Sequence, residues 1–285
     1  MKAVILAGGM GTRLRPLTNE IPKPLVPLLG KPLIRYIIDA LPDEVDQVLI
    51  AVSYRKDDLQ RYFEEHDLGL DVVLVEEKEP LGTGGALKNV SPYLDDTFLA
   101  FNGDIISSLD LRAFIDFHRR KKGIGALALW RVEDPSAYGV VSMEGERISS
   151  FLEKPPPDES PSDMINAGIY IFEQEILDHI PQGTVSLEKD VFPHILSLGL
   201  YGMVFDGLWV DCGTRESYLE AQRLLIGGRN VYCEGAEVSP LADLKDCTVL
   251  PGAKVGDRAL IRRSIICPGA EVRAGEQVLD SIYLG

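Results

Sequence analysis

Residues 2–7 (Lys2, Ala3, Val4, Ile5, Leu6, Ala7) form an apolar run that stops at Gly8-Gly9. A run this short, apolar without alternation, predicts a strand buried on both faces, as in a parallel sheet. Residues 47–52, 72–75 and 98–101 read the same way, and the last run ends at Asn102-Gly103-Asp104. The intervening segments have helical spacing. Pro32 suits a first helical position and is followed by Leu33, Ile34, Ile37, Ile38 and Leu41. Residues 57–65 put Leu59, Tyr62 and Phe63 on one face, and residues 84–90 open another helix. Strand and helix in alternation predict an α/β fold with a Rossmann-like, doubly wound sheet.

Past residue 123 the pattern changes. Residues 125–130, 139–143, 148–152, 165–172 and 203–205 read as strands, which makes the sheet mixed. The acidic, proline-rich stretch from Pro155 to Pro161 is a surface loop, inert or a lid. Residues 216–226 form a helix ended by Gly227-Gly228. In the tail Val238, Leu244, Leu250, Val255, Ile261, Ile266, Val272 and Val278 recur every five or six residues. Small residues (Ala236, Ala253, Ala259, Ser264, Ala270) precede several of them by two positions. Short-period repeats of this kind predict a small parallel β-helix, with irregular Gly/Ala-rich strands as the alternative. The expected division is residues 1–228 and a tail of residues 229–285.

Charge excludes some functions. Asp and Glu number 44 against 29 Lys and Arg, a formal charge of −15, so the basic footprint of a nucleic-acid binder is missing. Any phosphate site must therefore be assembled locally. The N-terminal apolar run is too short for a secretory signal, and no stretch approaches a membrane span. Cys212, Cys233, Cys247 and Cys267 are widely spaced without a C-x-x-C pair, as expected of reduced thiols in the cytoplasm.

The segment from Leu6 to Thr18 carries Gly8, Gly9, Gly11, Thr12 and Arg13 directly after a strand. Glycine allows close approach to a ligand, successive N–H groups can face phosphate oxygens, and Arg13 adds a permanently charged fork. By itself such a turn serves equally as a plain tight turn. It is not a P-loop, which needs G-x-x-x-x-G-K-[ST], and it lacks the third glycine of a dinucleotide fingerprint. A second cationic loop, Pro22-Lys23-Pro24-Leu25-Val26-Pro27, follows, then Lys31-Pro32. Taken together, these strings closely resemble the signature of the sugar-phosphate nucleotidylyltransferase family.

The resemblance runs through residue 215. It takes in Glu77 to Ala86, similar to a base-recognition loop, and Asn102-Gly103-Asp104, similar to a strand-end metal motif. Tyr138-Gly139-Val140-Val141, Glu153-Lys154-Pro155 and Asn166-Ala167-Gly168-Ile169-Tyr170 are similar to sugar-phosphate motifs. Ser186 to Asp190 is another match, and Trp209 to Thr214 resembles the segment with a second metal ligand. Cys212 departs from the usual pattern, which has a different small or branched residue there. The tail resembles the short left-handed β-helix of several members, without an acyltransferase histidine.

The resemblance implies a Mg²⁺-dependent enzyme joining an NTP to a sugar 1-phosphate, with release of pyrophosphate. Arg13, Lys23 and Asp104 are implied as catalytic groups. Leu6, Ala7, Gly8, Gly9, Gly11, Thr12, Glu77, Gly82 and Thr83 would bind nucleotide. Gly139, Glu153, Lys154 and Asn166 would bind the sugar phosphate, and Asp104 and Asp211 the metal. Read alone, Asp104 fits a turn or cap equally well. The second pKa of a phosphate monoester lies near ~6, so the nucleophile needs no general base. That agrees with His66, His118, His179 and His194 lying outside every motif.

In pyrimidine-using members the position of Glu77 is typically glutamine. Guanine presents two adjacent donors, which a carboxylate accepts, so Glu77 points to GTP unless it pairs with Lys78 or faces water. The string from Glu77 to Thr83 looks most like that of mannose-1-phosphate-using members. Glucose-1-phosphate uridylyl- or thymidylyltransfer, heptose-1-phosphate guanylyltransfer and a non-catalytic NDP-sugar sensor are the alternatives. The tail is expected to support a homo-oligomer.

Overall fold

The computed structural model describes residues 1–285. The chain divides into two compact units. One comprises Met1–Met10 and Ile37–Trp209, the other Gly11–Tyr36 and Val210–Gly285. The crossing between Met10 and Gly11 falls inside the glycine-rich segment. No helix is long and apolar enough to cross a membrane.

The first unit is organised on a nine-stranded sheet. Its strands are β1 (Lys2–Leu6), β2 (Gln47–Val52), β3 (Asp71–Glu76), β4 (Phe98–Asn102), β5 (Gly125–Arg131), β6 (Gly139–Glu144), β7 (Arg147–Glu153), β8 (Met164–Phe172) and β9 (Leu200–Val204). Their order across the sheet is β3-β2-β1-β4-β8-β5-β9-β7-β6. β1 lies parallel between β2 and β4, with Val4 opposite both Leu49 and Ala100. Val4, Leu49 and Ala100 are fully buried, which accounts for the unalternated apolar runs. The chain winds outward through β2 and β3, then returns to place β4 on the other side of β1. Ligands of open α/β sheets bind at such a reversal, beyond the carboxyl ends of the strands.

β8 makes the sheet mixed, running antiparallel to β4 and β5. Its register with β5 shifts between Asn166 and Tyr170. Irregularities of this kind re-aim side chains and are frequent beside active sites. The helices here are α2 (Lys56–Glu65), α3 (Gly82–Asn89) and α4 (Leu111–Lys121). α3 starts two residues before the expected position. Val185 O accepts from the N–H groups of Gly84 and Gly85 at 2.9 and 3.2 Å, which satisfies two donors of its first turn.

No expected element covers residues 105–122, yet α4 is well specified. Asp110 caps it by accepting from Ala113 N–H at 3.0 Å. Leu111, Phe114, Ile115, Phe117 and His118 form its buried face, and Arg119, Arg120 and Lys121 occupy its last turn. His118 is helical and buried, with Nε2 2.8 Å from Glu173 Oε1.

In the second unit the helix expected from Pro32 is a shorter α1, Leu33–Ile38. Pro27 and Leu28 pair with Pro32 and Lys31 in a hairpin, so Pro32 belongs to a strand. Leu29 and Gly30 make its two-residue turn with φ of 50° and 80°, the twist suited to tight hairpins. Helix α5 (Arg215–Ile226) starts at a capping box made by Thr214 and Ser217 and stops at Gly227, where φ is 63°. Its buried Tyr218 donates to Pro27 O, and Gln222 Nε2 donates to Ser264 O at 3.1 Å.

The tail forms parallel β-coils. Val231, Thr248, Ile265 and Ile282 are successive partners, each 17 positions beyond the last. Two further three-stranded faces repeat through Glu237, Lys254 and Glu271 and through Asp243, Leu260 and Gln277. A coil of 17 is one residue short of three hexapeptides, which explains the uneven spacing. Val249, rather than Leu250, aligns with Ile266.

Candidate active site

At the switch point the carboxyl ends of β1 and β4 touch: Gly103 N–H donates to Leu6 O at 3.0 Å. A Cβ on Gly103 would stand 2.9 Å from that oxygen, so this turn requires glycine. Asp104, half-buried, follows immediately. Its place beside the start of the glycine-rich loop is set by β1–β4 pairing.

Next to it, Leu6, Gly8, Gly9, Glu77, Pro80, Gly82, Thr83 and Ala86 line a cavity of about 250 Å³. Glu77 is only 5% exposed. Its Oε2 accepts from Leu81 N–H at 3.1 Å, while its buried Oε1 has no partner. Burial pushes this carboxyl above the ordinary range, and the Leu81 N–H offsets only part of that. A Cβ on Gly8 would come within 2.6 Å of Oε1, so Gly8 leaves room for the carboxylate. Ser53 Oγ donates to Gly8 O, a support that no motif signalled. Ala7 is held at the end of β1 by its N–H to Ala51 O at 2.9 Å.

The third group in this unit gathers around β6, β7 and β8. Gly139 is buried, and a Cβ there would meet Phe151 Cζ at 2.5 Å and Glu153 Oε2 at 3.0 Å. Lys154 Nζ lies 3.5 Å from Glu153 Oε1, with the lysine 61% exposed and the glutamate 14%. Burial raises the Glu153 carboxyl, Glu188 raises it further, and Lys154 and Lys189 oppose them. Asn166 is buried at the register shift. Its Nδ2 donates to Tyr170 Oη at 2.9 Å and its Oδ1 accepts from Gly168 N–H at 3.1 Å. Gly168 has φ of 72°, and a Cβ there would lie 2.8 Å from Asn102 Nδ2.

The second unit holds the remaining expected residues. Gly11 (φ 63°) caps a short 3-10 turn, Thr12–Leu14, and its carbonyl accepts from Thr18 Oγ1 at 2.7 Å. A Cβ on Gly11 would stand 2.9 Å from Thr18 Cγ2 and 3.1 Å from Lys23 Cβ, which places Lys23 beside the loop that carries Arg13. Thr12 and Arg13 are exposed, and Lys23 is half-buried at the start of another 3-10 turn. A Cβ on Gly213 would lie 2.7 Å from Asp211 Oδ1 and 3.1 Å from Arg13 Nη2. One cation and one carboxylate thus flank the same glycine just before α5. Cys212, the departure from the family pattern, is fully buried.

Residues 2–226 match the family described as nucleotidyl transferase. The chain is 39% identical to mannose-1-phosphate guanylyltransferase of Mycobacterium tuberculosis, over 96% of this chain and 81% of that protein. It is 38% identical to the mannose-1-phosphate guanylyltransferase catalytic subunit beta of Xenopus tropicalis, over 90% and 73% respectively. The solved structure of HddC from Yersinia pseudotuberculosis complexed with GMP-PN superposes with a TM-score of 0.65 at 31% identity. It covers 77% of this chain and 97% of that one. The strings that suggested a resemblance lie within the matched span, and the chain belongs to the nucleotidyl transferase family.

Proposed function

We propose that the protein transfers the guanylyl group of GTP to mannose 1-phosphate, giving GDP-mannose and pyrophosphate. The observation that carries this reading is Glu77, a buried carboxylate with one oxygen unpartnered in a cavity of about 250 Å³. Guanine N1–H and its 2-amino group are adjacent donors that match a carboxylate, whereas uracil and thymine offer a donor beside an acceptor. The names of the relatives and the guanine nucleotide in the HddC complex support the same base.

In this reading Leu6, Ala7, Gly8, Gly9, Gly82 and Thr83 shape the nucleoside site, and Gly11, Thr12 and Arg13 meet the triphosphate. An oxygen of the sugar phosphate attacks the α-phosphorus. The bond from that phosphorus to the oxygen bridging towards the β-phosphorus breaks, and pyrophosphate leaves with the electron pair. Arg13 and Lys23 stabilise the charge of this step, and Lys154 anchors the incoming phosphate. Gly139 admits the sugar ring, and Glu153 and Asn166 bind its hydroxyls. Asp104, half-buried at a strand end, and Asp211, beside Arg13, offer hard carboxylate oxygens. They fit Mg²⁺, which takes one or two carboxylates plus substrate phosphates. Bound there, the ion would neutralise triphosphate charge.

We divide the protein into a transferase domain, 1–228, and a tail, 229–285; the end of the family match at residue 226 supports this. We take the reaction to run in the cytoplasm, where NTPs are supplied. The tail would support a homo-oligomer: Ala236, Val238, Ala242 and Leu244 of the first coil are partly exposed. Their equivalents Ala253, Val255, Ala259 and Ile261 are buried.

Pyrophosphate release with Mg²⁺ tests the reading, crossing GTP, UTP, dTTP, ATP and CTP with mannose 1-phosphate and glucose 1-phosphate. Turnover with GTP and mannose 1-phosphate is expected. Turnover confined to another nucleotide would overturn the role of Glu77, and none with any pair would overturn the activity.

A further inference from the structure

The segment Ser186 to Asp190 matches the family but carries no role in the reaction above. Ser186 caps a π-helical turn, Leu187–Val191, of a kind frequent at functional sites. Within it Glu188 is half-buried and touches both substrate regions of the first unit. Its Oε2 accepts from Thr83 Oγ1 at 2.7 Å, and Thr83 lines the nucleobase cavity. The same oxygen accepts from Ser186 Oγ at 2.7 Å. Its Oε1 accepts from Tyr170 Oη at 3.5 Å, and that hydroxyl in turn accepts from Asn166 Nδ2 at 2.9 Å. The chain Thr83–Glu188–Tyr170–Asn166 therefore links a residue of the base cavity to a residue assigned to the sugar.

A carboxylate only accepts, and this sets the direction of every bond in the chain. Thr83 must give its proton to Glu188, leaving its oxygen to accept from Leu187 N–H at 2.9 Å. Tyr170 turns its proton to Glu188 across a long 3.5 Å contact, with the Asn102 side chain beside the same hydroxyl, and its oxygen accepts an N–H of Asn166. The Asn166 amide is then oriented with Oδ1 on Gly168 N–H at 3.1 Å. One amide N–H and one carbonyl lone pair remain in defined places for a ligand. Tyr170 is fully buried, so no water can take over the relay without repacking.

We propose that Glu188 is a positioning residue that polarises this chain, holds Asn166 in its sugar-binding orientation and couples the nucleobase cavity to the sugar site. The inference rests on the assignment of Asn166 to the sugar. Glutamine at 188 keeps size and shape but adds two donors, and the directions are then no longer fixed.

The experiment measures KM for each substrate and kcat, with whichever NTP and sugar 1-phosphate pair the wild type turns over. A different preferred pair would revise the proposed activity without touching this inference. Glu188→Gln is expected to raise KM for the sugar 1-phosphate about tenfold, as for loss of one oriented polar contact. Its kcat at saturation should stay within about twofold. Tyr170→Phe, which cuts the chain at its centre, should give a similar KM rise. Thr83→Val should raise KM for the sugar 1-phosphate about threefold in the wild type and add nothing in Glu188→Gln, the non-additivity of a connected network. An unchanged sugar KM in folded Glu188→Gln would overturn the proposal. So would parallel rises for both substrates with additive Thr83→Val effects. Failure of both Glu188→Gln and Tyr170→Phe to fold would make the chain a fold element only.

Discussion

Replacing Glu77 with glutamine tests the base assignment most directly. Oε2 accepts from Leu81 N–H at 3.1 Å, and no protein group pairs with the buried Oε1. Guanine would bring two N–H donors to this carboxylate. Glutamine keeps one acceptor but sets an NH₂ group against one of those donors. A hydrogen bond to a charged group contributes about 1.5–3 kcal/mol, and a buried donor left unmatched costs about 1–3 kcal/mol. Part of that loss is recovered, because glutamine removes a buried charge. A net loss of roughly 3 kcal/mol corresponds to about a hundredfold lower kcat/KM for GTP. The same amide can accept from uracil N3–H and donate to a uracil carbonyl, so kcat/KM for UTP should rise. Initial rates of pyrophosphate release with each nucleotide, at saturating sugar 1-phosphate, give both numbers. A fall of less than about threefold for GTP in a folded variant would refute the argument, because Glu77 would then not contact the base.

Further outcomes follow from the same geometry. Burial raises the Glu77 carboxyl, so the folded protein holds that proton at a pH where the unfolded chain has lost it, above about 4.3. This stability is present below the unfolded value and lost as pH rises through the raised folded value. Glu77→Gln should therefore melt above wild type at pH 7 and level with it near pH 4; equal melting temperatures at both would contradict the burial cost. Guanosine, which has no phosphate to titrate, should bind more tightly as pH rises through the Glu77 range, with no such trend in Glu77→Gln by calorimetry. Asp104→Ala should abolish turnover and Arg13→Ala should mainly lower kcat, and near-normal rates in either purified variant would remove its assigned role. Asn166→Ala should raise KM for the sugar 1-phosphate by about one order of magnitude with KM for GTP little changed, as for a buried polar contact.

Much of the fold is local in origin and was legible in the residue order. The unalternated run from Lys2 to Leu6 had to be a strand buried on both faces, since only a doubly covered sheet accepts it. The five- and six-residue spacing of the tail reflects a coil that closes on itself, and periodicity survives in one dimension. Glu77, Asp104 and Asn166 stood out because their neighbours in sequence form recognisable strings. What the order of residues did not reveal depends on who meets whom. Helix α4 has a cap, a buried face and a basic last turn, but no recognisable string marks it. Pro32 joined a hairpin because Pro27 and Leu28 were there to pair with it. The buried, unpaired oxygen of Glu77 arises because Leu81 N–H bonds only the other one and Gly8 leaves the space. Glu188, separated from Thr83 by 105 positions, became the acceptor for Thr83 only when Val185 packed against the start of α3. Sequence alone determined strands, period and chemical class. Tertiary structure decided which buried polar atoms are satisfied, because a hydrogen bond depends on distance through space.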